Sequence, residues 1–279
     1  RLLVCGFHGP GQRIPTLILS PLTIPIPAVP CALQVEPDEH AVAEAVAPRL
    51  LEALGESRPL GLATGRTMEP VYAALRRRIA GLPALERQAL LAQWRSFNLD
   101  EYVGLGPDHP GSFAATMATA LGEPLNLVPG LLQLPDGQAA DPEAEAHRYG
   151  AAVAAAGGIG LQLLGLGSNG HVGFNEPPCG AEAPCRCLEL SAATRWQNAS
   201  AFGGDPQAVP PRAITLGTAE ILAAERILLV VTGAAKATIL RRALLEPACP
   251  EVPASWLQHH PRLEVLVDGA AAAALPRVR

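Results

Sequence analysis

The strongest constraint on this chain is an alternation. Short, almost wholly apolar runs end in polar or glycine-rich loops, and most of those loops open a stretch with helical spacing. Ala32 to Val35 is the first run. Asp38 then stands where a helix N-cap belongs, and Ala41, Val42, Ala45, Val46, Leu50 and Leu54 recur near the helical period. Leu60 to Ala63, Ser96 to Leu99, Ile159 to Leu164, Arg226 to Val231 and Leu263 to Val267 read as further strands. Helices open between them near Pro70, where a first turn tolerates proline, at Asp141, and from about Lys236. Strands alternating with helices predict the α/β class: a Rossmann-like, mostly parallel sheet with helices on both faces.

No repeat or linker interrupts residues 31–279, which are expected to form a single α/β domain. Residues 1–30 are expected to be a poorly ordered extension. Ile14 to Val35 is apolar but carries Pro15, Pro21, Pro25, Pro27 and Pro30. Each proline in a helix interior costs about 3 kcal/mol, so this stretch is neither a membrane helix nor a signal-peptide core. Tyr149 to Gly167 is also apolar, but Gly157, Gly158 and Gly160 in its middle fit a helix end, a turn and a strand.

The composition narrows the function classes. Of 279 residues, 49% are apolar and 17% charged, which excludes a mainly disordered chain. The net charge of −5 argues against broad binding to nucleic acid or an anionic membrane, and leaves room for a small anion held by a few placed cations. Lys236 is the only lysine, so its position carries weight. The cysteines, Cys5, Cys31, Cys179, Cys185, Cys187 and Cys249, form no C-x-x-C pair and make a poor zinc site. They read as reduced thiols of a cytosolic protein, with no metal expected.

In a parallel sheet, ligands bind outside the carboxyl ends of the strands. Four loops reach that edge. Ala63-Thr64-Gly65-Arg66-Thr67 joins a strand to a helix, and such amides can cradle a phosphate; a plain turn fits equally, and the Walker pattern is missing. Asn98-Leu99-Asp100-Glu101-Tyr102 carries adjacent carboxylates, which serve either as a general base or as a solvated pair. The glycine-rich stretch Gly165 to Pro177 is the strongest signal, because His171 and Glu176 within it can move protons near neutral pH. Lys236 follows Thr232-Gly233-Ala234-Ala235 at a helix start, where a cation does not suit the dipole and makes sense beside an anion. Arg195, in Ala193-Thr194-Arg195-Trp196, reads either as a second anion ligand or, on its own, as a surface residue.

Together these segments resemble the glucosamine-6-phosphate deaminase (isomerase) family, related to the 6-phosphogluconolactonases. The matching stretches are ATGRTMEPVYAAL from Ala63, FNLDEYVGLGPDHPGSF from Phe97, LGLGSNGHVGFNEP from Leu164, Thr194-Arg195, and TGAAKA from Thr232. The resemblance covers about residues 31–270. The Phe174-Asn175-Glu176-Pro177 ending favours the deaminase branch over the lactonases.

The resemblance implies conversion of an amino-sugar 6-phosphate and water to a ketose 6-phosphate and ammonia, without cofactor or metal. It implies that Asp100 moves a proton between C2 and C1, that His171 and Glu176 help open the sugar ring, and that Asn169 orients the histidine. It places phosphate at Thr64, Gly65, Arg66, Thr67, Arg195 and Lys236. It leaves a homo-oligomer open, with no nucleic-acid or membrane partner. Asn169 stands where some members carry aspartate and others asparagine, and Arg66 where glycine is common. Leu188 falls where regulated members carry an activator-binding lysine, so activation by an N-acetylated sugar phosphate is not expected. Galactosamine 6-phosphate as substrate, a sugar-phosphate lactonase and a non-catalytic sensor are the competing readings.

Overall fold

The computed structural model describes residues 22–25 and 31–276. The elements run β1 (Leu22–Pro25), β2 (Cys31–Glu36), α1 (Glu39–Leu54), β3 (Leu60–Leu62), α2 (Met68–Ala80), α3 (Ala84–Ala92), β4 (Ser96–Asn98) and β5 (Asp100–Tyr102). Next come α4 (Phe113–Met117), α5 (Glu123–Leu125), β6 (Leu132–Gln133), α6 (Pro142–Ala155), β7 (Leu161–Leu164), β8 (Arg186–Glu189) and α7 (Ala192–Asn198). The chain closes with β9 (Arg212–Thr215), α8 (Thr218–Leu222), β10 (Arg226–Val231), α9 (Ala237–Leu245) and β11 (Leu263–Asp268).

Local chemistry explains the helix ends. Asp38 and Asp141 cap α1 and α6: the Asp38 carboxylate accepts the Ala41 N–H at 2.8 Å, and Asp141 accepts from Glu143 and Ala144 at 3.1 Å. Pro48 lies inside α1 and has no N–H for the carbonyl of Glu44. Arg78 of α2 supplies the missing donor, its Nη2 reaching Glu44 O at 3.1 Å, so the defect in one helix becomes a tie to its neighbour.

The main sheet has the strand order β1-β2-β11-β10-β7-β3-β4-β6. All its pairings are parallel except the β1–β2 edge, where Leu22 to Pro25 runs antiparallel to Ala32 to Val35. This segment falls inside the expected extension: its backbone adds an edge strand, the one place in a sheet that tolerates proline. The rest of that extension lies outside the described residues. From β3 the chain moves outward to β4 and β6, then returns on the other side of β3 through β7, β10 and β11. Right-handed crossovers therefore put α1 and α2 on one face and α6 and α9 on the other. The reversal opens a crevice between the loops after β3 and β7.

The core is the apolar filling of this sandwich, with Leu62, Leu163, Leu164, Leu228, Leu229 and Val265 buried in the strands and Val46, Leu50, Leu75 and Leu240 beneath the helices. The end of the Ser96 strand and a second sheet differ from the sequence reading, while the helix expected from about Lys236 is present. The strand from Ser96 ends at Asn98, and the chain leaves the sheet at Leu99 to pair again as β5 in a second, antiparallel sheet, β5-β9-β8. That sheet was not foreseen, because its three- and four-residue strands show no sustained period. The last long helix starts at Ala237, after a short 3₁₀ turn over Ala234–Lys236. Among the described residues no helix is long and apolar enough to cross a membrane, and Cys31, Cys179, Cys185, Cys187 and Cys249 are unpaired.

Candidate active site

One side of the crevice is built from backbone. The loop after β3 turns through Gly65, whose φ of +115° few other residues adopt, and the Met68 N–H closes the turn on Gly65 O at 2.8 Å. This leaves Thr64, Gly65, Arg66 and Thr67 lining the crevice at the start of α2. Thr67 Oγ1 stands 3.4 Å from Thr232 Oγ1, joining this loop to the one after β10. Lys236 comes in from that second loop and also lines the crevice. Burial lowers its pKa, and the nearby Arg66 charge lowers it further. Two neighbouring cations beside the turn that starts α2 form a place for a multiply charged anion.

The opposite wall comes from β5 and the loop after β7. Asp100 is 5% exposed and lines the crevice. Burial, with a smaller contribution from the Glu101 charge, pushes its pKa up to about 8. Such a carboxyl gives and takes a proton near neutral pH. Gly173, at φ +57°, lets the backbone close over it: a Cβ there would lie 3.4 Å from Asp100 Oδ2 and 3.0 Å from Thr215 Oγ1.

Glu101, next in sequence, faces the other way. Its Oε1 accepts the N–H groups of Tyr102 and Phe113 at 2.8 and 2.9 Å, and its Oε2 accepts Ala114 N–H at 2.7 Å. Burial raises its pKa and these three donors oppose the rise. The adjacent carboxylates thus divide: Asp100 faces the crevice and Glu101 caps α4.

His171 packs its ring on Gly167, where a Cβ would come within 2.3 Å of Cε1. Asn169 Oδ1 accepts the His171 backbone N–H at 3.2 Å and lies 2.7 Å from Nδ1. A backbone N–H only donates, so the Asn169 atom is the oxygen and Nδ1 must carry the proton. That leaves the Nε2 lone pair free. Burial pulls the His171 pKa down to about 4, with Glu176 opposing and Lys236 adding, so the ring is neutral at physiological pH.

Two expected site residues lie elsewhere. The Glu176 carboxylate accepts Ser191 N–H at 2.8 Å, Ser191 Oγ–H at 3.0 Å and the Thr194 hydroxyl, at the start of α7. Arg195 donates from Nε to Val209 O and from Nη2 to Gln207 O, both at 3.1 Å, and does not line the crevice. Phe113, Gln197 and Asn198 do line it. Phe113 belongs to an aromatic cluster with Tyr102 and Phe174, at centroid distances of 4.8 and 5.7 Å, under the Asp100 wall. The sequence gives none of these three a role: Phe113 only closes the stretch FNLDEYVGLGPDHPGSF, and the signal for Gln197 and Asn198 is their place just after Thr194-Arg195. Among the described residues no group of three or more His, Cys, Asp or Glu side chains is placed to hold a metal ion.

Comparison with known proteins bears on this geometry. The family model described as glucosamine-6-phosphate isomerases/6-phosphogluconolactonase matches residues 37–266. A protein of Rhodopirellula baltica named glucosamine-6-phosphate deaminase is 40% identical over 248 residues, 88% of this chain and 96% of its own length. One of Streptomyces coelicolor with the same name is 39% identical over 243 residues, 86% of this chain and 91% of its own. The solved structure of a monomeric glucosamine-6-phosphate deaminase superposes with a TM-score of 0.80 at 33% identity, covering 87% of this chain and 99% of that one. The 6-phosphogluconolactonase of Trypanosoma brucei superposes at 0.67 with 22% identity, covering 88% and 98%, a likeness of fold alone.

Proposed function

Because this chain belongs to the family of glucosamine-6-phosphate isomerases and 6-phosphogluconolactonases, we propose that it converts glucosamine 6-phosphate and water to fructose 6-phosphate and ammonia. The observation that carries the reading is Asp100: a buried carboxyl with a pKa near 8, facing two clustered cations across one crevice. Relatives of this length named as deaminases support the substrate class. The five thiols that are unpaired among the described residues support an action in the cytosol.

On this reading the phosphate sits on Thr64, Gly65, Arg66, Thr67 and Lys236. His171 Nε2 takes the proton of the anomeric hydroxyl as the C1–O5 bond breaks, and returns it to O5. Asn169 keeps Nδ1 protonated throughout, so Nε2 remains the proton carrier. Asp100 then removes the C2 proton, whose electron pair forms the C1=C2 bond of an enolamine while O1 takes up a proton from solvent water, matched by the proton the nitrogen gives up when the imine forms. Asp100 returns a proton to C1, giving an imine at C2. Water adds to that carbon and the nitrogen leaves as ammonia. Glu176, at the end of the same loop, joins ring opening if its carboxylate leaves α7, and Arg195 joins the phosphate if α7 swings inward.

The test is ammonium release from glucosamine 6-phosphate, run beside galactosamine 6-phosphate and 6-phosphogluconolactone. Fastest release from the glucosamine compound supports the reading. Preference for the galactosamine compound corrects the substrate, and lactone hydrolysis without ammonium overturns the reading.

A further inference from the structure

We infer that Asp268, outside the crevice, is a positioning residue for Lys236. It holds the Gly233 turn in the shape that delivers the lysine to the phosphate. The inference rests on reading the crevice as a sugar-phosphate site.

Asp268 ends β11, the neighbour of β10 in the sheet, and is 7% exposed. A buried carboxylate is costly unless it is paired or fully hydrogen-bonded. Among the described residues Asp268 has no cation partner. Its donors are all backbone: Gly233 N–H reaches Oδ1 at 3.1 Å and Oδ2 at 2.9 Å, and Ala271 N–H reaches Oδ1 at 2.7 Å. The carboxylate therefore clamps the turn after β10 to the turn after its own strand.

Gly233 has φ +90° and ψ 144°, a region L side chains rarely enter, and a Cβ there would meet nothing within 4 Å. Backbone shape, not crowding, requires the glycine. That shape has one further consequence: Gly233 O accepts the Lys236 N–H at 3.0 Å, closing the turn that carries the lysine. Two consecutive hydrogen bonds thus run from Asp268 through Gly233 to Lys236. Thr232, just before the turn, meets Thr67 of the other phosphate loop. Releasing Gly233 would shift Lys236 relative to Arg66 and Thr67 together.

The test is a double-mutant cycle on Asp268→Asn and Lys236→Ala. Asp268→Asn keeps the size but turns an NH₂ group toward the Gly233 N–H. It should raise KM for glucosamine 6-phosphate roughly 5- to 20-fold and leave kcat within about twofold. Lys236→Ala should raise KM further, and the double variant should match Lys236→Ala within about twofold, since Asp268 acts only through the lysine. Gly233→Ala, which leaves both side chains in place, should repeat the Asp268→Asn effect and serves if that variant does not fold.

A lowered melting midpoint with an unchanged KM would make Asp268 a fold clamp only and overturn the inference. So would KM increases that multiply in the double variant. Inorganic phosphate, titrated calorimetrically, separates this inference from the functional reading. Weakened phosphate binding in Asp268→Asn, with no ammonium release even by the parent, sinks the reading and keeps the inference. Ammonium release with parental KM and phosphate affinity in Asp268→Asn does the reverse.

Discussion

The eight-stranded sheet and the three-stranded sheet equip the two walls of the crevice differently. On the large sheet, Thr64 to Thr67 and Gly233 to Lys236 offer amides, hydroxyls and two cations from strand-end loops, with Arg66 and Gly65 exposed to solvent. On the small sheet, Asp100 offers one carboxyl, buried beside Thr215 and above the Tyr102, Phe113 and Phe174 rings. Holding an anion needs donors and charge, and tolerates water. Moving a proton from carbon needs a carboxyl whose pKa lies far above that of a solvated acid, and burial supplies this. The kink at Leu99 reconciles the two needs: it takes the chain off the parallel sheet before the reacting group, so that group enters a drier wall.

The largest effect expected from breaking this contrast is on Asp100. Asp100→Asn should lower ammonium release by the ~10²- to 10⁴-fold typical of a lost general base, with KM little changed. A similar loss with a greatly raised KM would place Asp100 on the anion side. Next is Lys236→Ala, expected to cost about 1.5–3 kcal/mol of binding, roughly 10- to 100-fold in KM, with kcat less affected. A kcat defect without a KM defect would remove the lysine from the phosphate.

Glu101→Ala tests the neighbour that faces away. It strands the Phe113 and Ala114 N–H groups at the start of α4 and the Tyr102 N–H of β5, worth about 1–3 kcal/mol, and should lower the melting midpoint by several degrees. Any residual folded enzyme should still turn over, which an essential acid at that position would not allow.

A further expected effect is a pH dependence of stability. The folded pKa of Asp100, about 8, lies above its ordinary 3.8. Between these values the folded state keeps a proton that the unfolded state releases, so rising pH removes stability through this window. Asp100→Asn lacks that loss, and its midpoint advantage over the parent should be larger at pH 9 than at pH 5. His171 acts oppositely: its folded pKa, about 4, lies below the ordinary 6.5, so stability falls as pH drops through that interval. His171→Gln should therefore gain midpoint relative to the parent as pH falls from 7 to 4. Melting curves of the parent and both variants across pH 4 to 9 check both signs.

What the sequence made legible follows the same contrast. The inner strands of the large sheet are apolar runs between capped helices and loops of separate character, so its class and crevice-lining loops could be read, whereas its edge strands β1 and β6 could not. The small sheet depends on strands of three or four residues, with β5 paired to β9 across more than a hundred positions, and no local pattern encodes that pairing. For this reason the division between Asp100 and Glu101 was invisible in the sequence, as was the part of Phe113. The Glu176 and Arg195 side chains were legible as motif members, but their partners on α7 and in the 207–209 loop depend on rotamers that a motif does not fix. Asp268 carries no signal in the sequence, because its role needs the adjacency of β10 and β11.

The most direct test of the account is solvent-deuterium incorporation at C1 of the product, measured by mass spectrometry for the parent, Asp100→Asn and His171→Gln. The account predicts that Asp100→Asn loses incorporation and ammonium release together. It also predicts that His171→Gln loses turnover of the cyclic sugar while keeping C1–C2 exchange on an open-chain analogue. Full exchange in Asp100→Asn would contradict the assignment of the base. Equal loss of both reactions in His171→Gln would place the histidine in the proton transfer at carbon and remove the proposed division between the two residues.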